Sequence, residues 1–489
     1  MNNKVVNRSI VKIREYLFYL LIFSLPWQTR WIIRDPSLGG EVWEYGRISL
    51  YGWDILLLVL AVISMPLLWQ EIKNVKIKSQ DVIPAKAGIQ TKQQTEFLDS
   101  DSEAGMTNNV DNKRLVFGTL FYLYFGLLVL SFFSIYWSGD KVLALVWSLR
   151  LLEAGLMWLL VLAIKPKLKF IFTSLMAAGV IQALWAAWQF LTQSTFANKW
   201  LGVAIHPLTQ GGTSVVLADG ERWLRAYAGQ VHPNVLGGLL VITCLATVWL
   251  YFNRHREEGG KTDRRGDLWG LFPACRQAGA DARNDNYLLL LYIVQLAGLF
   301  FTFSRGAWLA LFLTLGLWWF KNREQKKYLS RAGIFSIIIF IILGTIYWQP
   351  TVGRILGGSR LEQQSIEQRA GSVGESASLL ETSWWRGTGI GNYTVGLQQF
   401  DPSNPGYRYQ PVHNIFLLIL TELGIIGLLL FLWIWLTALL RKPFAIYHLL
   451  LAAVFVTAMF DHYWWTVPSM FLLLWLIIAH SAVEPLESS

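Results

Sequence analysis

The segment Phe303-Ser-Arg-Gly-Ala-Trp308 lies between two long apolar runs, and it places an arginine where hydrocarbon would be expected. Such an arginine is costly at a membrane span and usually has a function. Outward from this segment, apolar runs of about 17 to 25 residues recur, the length that crosses roughly 30 Å of hydrocarbon. The 489-residue chain is 54% hydrophobic and only 15% charged, which excludes a soluble domain of this length. We therefore predict a polytopic membrane protein.

The hydropathy pattern predicts an all-helical fold of about twelve spans, in a single integral membrane domain over residues 1–489. The spans are 16–33, 52–69, 115–136, 142–164, 168–192, 232–253, 287–303, 305–320, 332–349, 413–433, 444–460 and 467–482. With the N-terminus inside, 28 of the 42 lysines and arginines fall in cytoplasmic segments, as the positive-inside rule requires. The net charge of +10 is then mainly a topology signal and does not indicate a nucleic-acid partner. Both termini are expected in the cytoplasm.

Four segments between the spans are long. Residues 78–112 and 255–286 are polar and lack apolar periodicity, so we predict disordered cytoplasmic insertions; a docking site for a cytoplasmic partner is the alternative. Residues 193–231 and 350–412 are predicted to be extracytoplasmic loops. The second loop, between spans 9 and 10, predicts a helix with one apolar face against the membrane surface or the top of the bundle. That face comprises Ala370, Val373, Ala377, Leu380 and Trp384.

Several polar side chains stand at span edges that this topology places on the outer side. They are Arg225, His232, Arg305, Arg369 and His413 with Asn414. Guanidinium groups match phosphate oxygens in geometry and stay protonated. An imidazole accepts a proton near neutral pH. The sequence therefore predicts a cationic pocket with a titratable imidazole, where a membrane-bound anion could meet a nucleophile.

Together these segments resemble the O-antigen ligase/polymerase superfamily of integral membrane glycosyltransferases. The matching pieces are Arg225-Ala-Tyr with His232-Pro-Asn-Val-Leu-Gly, Phe303-Ser-Arg-Gly-Ala-Trp-Leu-Ala-Leu, Arg369 with Gly387-Thr-Gly-Ile-Gly-Asn-Tyr393, and His413-Asn-Ile-Phe-Leu with Glu422-Leu-Gly424 and Gly427. They cover roughly residues 220–430, the ligase/polymerase-like core. The resemblance implies a GT-C-like multispanning fold in the bacterial inner membrane. It also implies transfer of a glycan from a polyprenyl (undecaprenyl) diphosphate carrier to a hydroxyl of a lipid, glycan or protein acceptor. The reaction would occur on the outer side, without a metal or other cofactor.

By this resemblance, Arg225 and Arg305 bind the diphosphate, with Arg369 as a further candidate, and His413 is the general base. Direct displacement with inversion is the simplest mechanism, because these motifs contain no obvious covalent nucleophile. The secondary candidates are His232, Asn414, Glu422, Asp461 and Arg150.

Structural interpretations of the same residues stay open. Arg305 could cap a span or reach the headgroups, Arg369 could be the polar face of the loop helix, and His413 could be an interfacial residue. Arg150 and Glu153, three apart, predict an ion pair. Glu422 predicts a buried acid hydrogen-bonded between helices.

The sequence also leaves functional alternatives open. A ligase and a polymerase need the same diphosphate pocket and differ in acceptor. An anion or bicarbonate transporter is a further alternative, but it would be expected to place polar groups near the midplane. Here the midplane offers mainly Arg150, Glu153 and Glu422, which favours the enzyme.

Overall fold

A computed structural model of the protein describes residues 2–38, 40–80, 118–259, 286–357, 360–441 and 443–483. Within these residues, helices dominate, and the strands form three small antiparallel pairs. The fold is therefore that of an all-helical polytopic membrane protein, as predicted.

The helices are defined by the following bounds. They are α1 (Asn2–Ser24), α2 (Gly52–Gln80), α3 (Gly118–Ser134), α4 (Lys141–Ile164), α5 (Leu168–Thr192), α6 (Pro233–Gly259), α7 (Asn286–Phe301), α8 (Arg305–Lys321), α9 (Lys326–Ile346), α10 (Trp348–Leu356), α11 (Arg360–Ser383), α12 (Tyr393–Phe400), α13 (Ile415–Leu439), α14 (Ile446–Ala458), α15 (Tyr463–Thr466) and α16 (Pro468–Val483). The strand pairs are β1 (Arg30–Arg34) with β4 (Ile48–Tyr51), β2 (Ser37–Leu38) with β3 (Glu41–Val42), and β5 (Val215–Ala218) with β6 (Glu221–Leu224).

Six of the described helices are long and apolar enough to cross a membrane, in α2, α4, α5, α6, α9 and α13. Four shorter apolar helices, α3, α7, α14 and α16, coincide with further predicted spans. The two remaining predicted spans correspond to α1 and α8. Helix α6 is buried along almost its whole length and packs against α5, α7 and α8, so it is the central helix of the bundle.

Several predicted boundaries are wrong. The first span was predicted over 16–33, but α1 ends at Ser24, and residues 30–34 form β1, which pairs with β4. Pro26 follows the helix, and proline has no amide hydrogen with which to continue it. The ninth predicted span, 332–349, is broken at Tyr347 between α9 and α10.

The first residues of both predicted cytoplasmic insertions are helical. Residues 78–80 belong to α2 and residues 255–259 belong to α6, so these parts of the predicted disordered segments are helical. Residues 81–112 and 260–285 lie outside the described residues.

The loops predicted to be extracytoplasmic bond to one another at one end of the bundle. Their contacts are Arg34 with Asp140, Trp43 with Thr394, and Asn392 with Asp140. Ends that are predicted to be cytoplasmic likewise meet, for example where Arg254 donates a 2.7 Å hydrogen bond to Tyr287. The predicted alternation of spans is therefore consistent with the packing.

The apolar face predicted for the second outer loop is not the face that packs on the protein. Val373 and Trp384 are more than half exposed. The side of α11 that faces the protein carries Ser376, whose hydroxyl lies 2.9 Å from the hydroxyl of Tyr393, and Leu379. Small residues allow helices in membrane proteins to approach closely. Packing on the top of the bundle is therefore excluded for the predicted face, and contact with the membrane surface stays a prediction.

The glycine run at 387–391 packs closely against α13 and hydrogen-bonds to it. Gly424 interrupts α13 with φ of 68°, and a side chain there would meet the carbonyl oxygen of Trp385 at 2.3 Å. At the freed backbone, Gly389 donates its amide hydrogen to the carbonyl of Glu422 at 2.8 Å. Gly387 also has positive φ, 71°, which glycine adopts without strain. The run thus forms a tight turn against α13.

Cysteine labelling tests which ends of the bundle share a compartment. In a variant whose Cys275 is replaced by serine and whose buried Cys244 is retained, we expect Trp200→Cys and Ser403→Cys to react with an impermeant maleimide in right-side-out vesicles. Glu324→Cys should react only after permeabilisation, because residues 321–331 are predicted to be cytoplasmic. Equal labelling of all three exposed positions in sealed vesicles contradicts the topology.

Candidate functional site

The break between α7 and α8 is the centre of the candidate site. Helix α7 ends at Phe301, α8 begins at Arg305, and Phe303 between them has φ of 47°. The last carbonyls of a helix have no partner within it and need other donors. Ala226 donates its amide hydrogen to the carbonyl of Phe301 at 3.0 Å. This contact brings the segment before α6 onto the break.

Two buried arginines satisfy the next two carbonyls. The Nε of Arg225 donates to the carbonyl of Thr302 at 2.8 Å, and the Nε of Arg354, from α10, donates to that of Phe303 at 2.9 Å. Cations are stabilised at a helix C-terminus by its partial negative charge. The break therefore fixes two guanidinium groups beside Arg305.

Four guanidinium groups converge here. Burial, together with repulsion from Arg369 and Arg305, lowers the pKa of Arg225 to about 10, so this group stays protonated at neutral pH. Burial and repulsion from the other three arginines also lower the pKa of Arg354. These mutual repulsions place Arg225, Arg305, Arg354 and Arg369 in one cationic cluster, which is the name used below. The three arginines predicted from the sequence are brought together.

Glu362 of α11 is the carboxylate of this cluster. It accepts a hydrogen bond from Arg305 at 3.0 Å and contacts Arg354 at the same time. Both Glu362 and Arg354 are buried, whereas the Arg305 side chain is about one third exposed, 34%. Arg305 can therefore keep its contact with Glu362 and still present guanidinium hydrogens to a ligand.

Arg369 has fewer described hydrogen bonds than the other arginines of the cluster. Its Nε is buried and has no hydrogen-bond partner among the described residues. Buried polar groups are normally hydrogen-bonded. The Arg369 Nε is therefore a donor that is available to an anion in the cluster.

His413 lies beside a second carboxylate, Asp461. The Nδ1 of His413 is 3.7 Å from Oδ1 of Asp461, and Nε2 of His462 is 3.9 Å from the same oxygen. Burial alone would raise the pKa of Asp461, but contact with His413 and with the neighbouring imidazoles holds that pKa well below its usual range. Asp461 is therefore an anion beside His413, at a distance longer than a hydrogen bond.

His462 belongs to the packing around this pair. Its Nδ1 lies 2.7 Å from the hydroxyl of Thr466, and its ring contacts that of Tyr45 edge-on. Burial lowers the pKa of His462 to about 4, so its imidazole is neutral at pH 7. Tyr45 shows that the segment between α1 and α2 also reaches the site.

Asn234 joins the cationic cluster to the His413–Asp461 pair. Its Oδ1 accepts a hydrogen bond from Nη2 of Arg225 at 2.6 Å, and its Nδ2 donates to Oδ2 of Asp461 at 2.7 Å. A continuous set of polar contacts thus runs from Arg225 to His413.

Two of the secondary candidates lie at this site with their polar atoms engaged. Nδ1 of His232 accepts from the amide of Asn234, and Nε2 lies 2.9 Å from the hydroxyl of Ser214. Burial and the charge of Arg225 lower the pKa of His232 to about 3. Asn414 caps α13, since its Oδ1 accepts from two backbone amides. His232 is thus a neutral packing residue, and Asn414 fixes the helix that follows His413.

Two further secondary candidates, Glu422 and Arg150, lie within the bundle and have protein partners. Glu422 accepts a 2.9 Å hydrogen bond from Nε1 of Trp465, which is the buried, bonded acid predicted above. Arg150 pairs with Glu153 at 2.7 Å, as its spacing predicts, and also with Asp54. Neither residue contacts the cationic cluster through a described hydrogen bond.

Sequence reasoning missed Arg354, Glu362 and the bridging role of Asn234. Arg354 had a usable signal, because an outward arginine opposes the positive-inside bias in the same way as Arg305. Glu362 had no such signal in the sequence, since a single acidic residue is common in a polar loop helix. Its significance comes only from contacts across long stretches of chain.

One group of described residues has the composition of a metal site. The ligand atoms of His413, Asp461 and His462 lie within 4.8 Å of one another. Asp461 already accepts from Asn234, which in turn binds Arg225. A cation here would sit close to the positive charge of the cluster, so this arrangement suits an acid–base pair better than a metal.

Replacing Glu362 tests its contribution to stability. We expect Glu362→Gln to lower the thermal unfolding temperature, because it leaves the buried Arg354 and the partly exposed Arg305 without their anion; breaking a buried pair costs about 3–5 kcal/mol. Glu367→Gln, an exposed position on the same helix, is the matched control and should not change that temperature. Tryptophan fluorescence during heating in detergent gives both values. Equal unfolding temperatures for the two variants contradict this role.

A family model described as O-antigen ligase matches residues 289–432. No curated protein matches the chain. The matched segment runs from α7 through Arg305, Arg354, Glu362 and Arg369 to His413 and into α13, whereas Arg225, Asn234 and Asp461 lie outside it. The resemblance to the O-antigen ligase superfamily is thereby confirmed: residues 289–432 of this membrane protein match the O-antigen ligase family model.

Proposed function

We propose that this protein is a membrane glycosyltransferase that moves a glycan from a polyprenyl diphosphate carrier to an acceptor hydroxyl. One observation carries the proposal. Hydrogen bonds link Arg225 of the cationic cluster through Asn234 to Asp461, and the carboxylate of Asp461 lies 3.7 Å from the imidazole of His413. An anion-binding group and a proton acceptor are thus adjacent, as displacement of a diphosphate requires.

The charge of the site supports a diphosphate as the bound anion. Four guanidinium groups face two carboxylates, Glu362 and Asp461, which leaves a formal charge of +2. A diphosphate joined at both ends to carbon carries about two negative charges near neutral pH, and guanidinium forks bind such oxygens bidentately. A single carboxylate or bicarbonate would leave excess positive charge in the site.

The reaction follows from these groups. The acceptor oxygen attacks the anomeric carbon while the bond from that carbon to the phosphate oxygen breaks. The acceptor proton passes to Nε2 of His413, because Nδ1 is buried and faces Asp461, and the electron pair of the broken bond stays on the departing polyprenyl diphosphate. Charge develops on that oxygen in the transition state, and fixed guanidinium groups stabilise it where water is excluded. Direct displacement inverts the configuration of the anomeric carbon.

Asp461 completes the base. An ionised carboxylate beside an imidazole orients the ring and stabilises the imidazolium that forms when the proton arrives. His413 remains accessible, with 24% of its side chain exposed, whereas Asp461 is buried. The acceptor hydroxyl can therefore reach the imidazole without reaching the carboxylate.

The proposal places the site on the outer side of the bacterial inner membrane. The outer loops that bond to one another surround the site, and a polyprenyl donor would reach the cluster from the surrounding lipid. The acceptor would be a lipid, a glycan or a protein. A growing glycan as acceptor would make the protein a polymerase rather than a ligase.

Transfer assays with purified protein test the proposal. With a polyprenyl diphosphate glycan and lipid, glycan and protein acceptors, we expect His413→Ala to lower turnover about 10²- to 10⁴-fold, because the general base is lost. Arg305→Ala should lower turnover about 10²- to 10³-fold, and Arg305→Lys should recover little, since lysine lacks the fork.

Arg386→Ala is the matched control, because Arg386 is an exposed arginine of the same outer loop and should leave transfer unchanged. Chromatography of the glycan products measures each rate and identifies the acceptor. Undiminished transfer by the His413 variant removes the proposed base. No transfer by the wild type to any acceptor, with anion uptake by proteoliposomes, favours the transporter.

Chelation tests the expected independence from metals. We expect transfer to continue at the same rate after dialysis against EDTA, because the four arginines supply the charge stabilisation that a cation would otherwise provide. Loss of activity with EDTA and its recovery with one divalent cation contradict the arginine-based mechanism.

A further inference from the structure

Asn234 occupies a position that its sequence context does not explain. It is the second residue of α6 and is 92% buried, with 8% of its surface exposed. Its side chain does not cap the helix. Both ends of the amide instead bind charged residues from other segments, Arg225 at 2.6 Å and Asp461 at 2.7 Å.

The chemistry of these partners fixes the amide in one orientation. A guanidinium group only donates hydrogen bonds, and an ionised carboxylate only accepts them. The carbonyl oxygen of Asn234 must therefore face Arg225, and the nitrogen must face Asp461. A side chain that is only an acceptor, such as aspartate, can serve Arg225 but not Asp461.

Asn234 is itself held in place. Its backbone amide donates to Nδ1 of His232 at 3.1 Å, and His232 in turn contacts Ser214. The other oxygen of Asp461 accepts the backbone amide of His462 at 2.8 Å. The amide thus closes a framework in which the Asp461 carboxylate has a single orientation toward His413.

We propose that Asn234 is a positioning residue that couples the diphosphate-binding Arg225 to the acid–base pair His413–Asp461. The inference rests on the proposed function and deepens it, since it assigns the link between donor recognition and proton transfer. Asn234 holds the guanidinium and the carboxylate in one frame, so that the anomeric carbon of a bound donor and the imidazole keep a fixed separation.

A double-mutant cycle measures this coupling. Asn234→Leu has a similar size and removes both hydrogen bonds. We expect it to lower kcat about 10- to 100-fold, the cost of a misplacement of about 1 Å in a catalytic group, and to raise the donor KM no more than a few-fold. In combination with Asp461→Asn, it should add almost nothing to the loss that Asp461→Asn causes alone, because residues in one network are not additive.

Two further variants keep the result interpretable. Asn234→Asp retains the acceptor for Arg225 and loses the donor to Asp461, so it should reproduce the loss in kcat. The control is a second double-mutant cycle, which combines Asn234→Leu with Arg305→Lys, because Arg305 forms no described hydrogen bond with Asn234 or Asp461. In this cycle the two reductions in kcat should multiply. If the effects of Asn234→Leu and Asp461→Asn on kcat also multiply, the inference is overturned. An unchanged kcat together with a lower unfolding temperature in Asn234→Leu likewise overturns it, and Asn234 is then a packing residue.

A readout without turnover separates this inference from the proposed function. Diethyl pyrocarbonate reacts with an imidazole in its neutral form and not in its protonated form. Mass spectrometry follows its addition to His413 as pH rises. The groups around His413 are Asp461 and His462 after α14, His232 before α6, Arg225, and Tyr45 beyond His462. Without the hydrogen bond from Asn234, the Asp461 carboxylate is no longer held beside His413. The rate at which His413 is modified should therefore change in Asn234→Leu.

An unchanged rate of modification overturns the coupling, whatever the enzyme transfers. A changed rate in a protein that transfers no glycan supports the coupling and contradicts only the proposed function.

Discussion

The carbonyl groups that α7 exposes where it stops at Phe301 need hydrogen-bond donors, and the chain supplies two of them as arginines. Arg225 and Arg354 come from segments on either side of the break in sequence, and each donates through Nε. A neutral donor would satisfy a carbonyl equally well. The choice of arginine brings charge to a buried position, and that charge requires compensation. Glu362 supplies part of it from α11, and the remainder is left for a ligand. The break thus determines where positive charge gathers.

The parts of this architecture that the sequence predicts are those that depend on local or compositional signals. Span positions follow from hydropathy, and Arg305 and His413 stand out because polar residues at span edges are uncommon. The pairing of Arg354 with Glu362 depends on two helices meeting, and no local pattern encodes it. The end of α1 at Ser24 was missed because the apolar residues of β1 continue the hydrophobic run. Hydropathy measures burial in lipid or protein and does not distinguish a strand from a helix.

Helix α11 shows why apolar periodicity gave the wrong face. In a soluble protein, the apolar side of a helix faces the core because water surrounds the other side. Near a membrane, the surroundings also accept apolar side chains, so Val373 and Trp384 have no reason to turn inward. The inward side is chosen by close approach instead, and serines such as Ser376 allow it while satisfying the hydroxyl of Tyr393. The apolar residues of α11 do lie on one face of the helix, but that face points away from the protein.

A base inside a cationic cluster must accept its proton against the repulsion of several guanidinium groups. His232 illustrates the effect, because the charge of Arg225 helps to keep that imidazole neutral. His413 differs in having Asp461 beside it, an anion whose low pKa keeps it charged. The carboxylate offsets the local repulsion on the imidazole that receives the proton, while the arginines remain free to hold the leaving group. Asp461 can do both only if it stays between His413 and the arginines, and the amide of Asn234 keeps it there. Anion recognition and proton transfer are therefore two properties of one hydrogen-bonded framework.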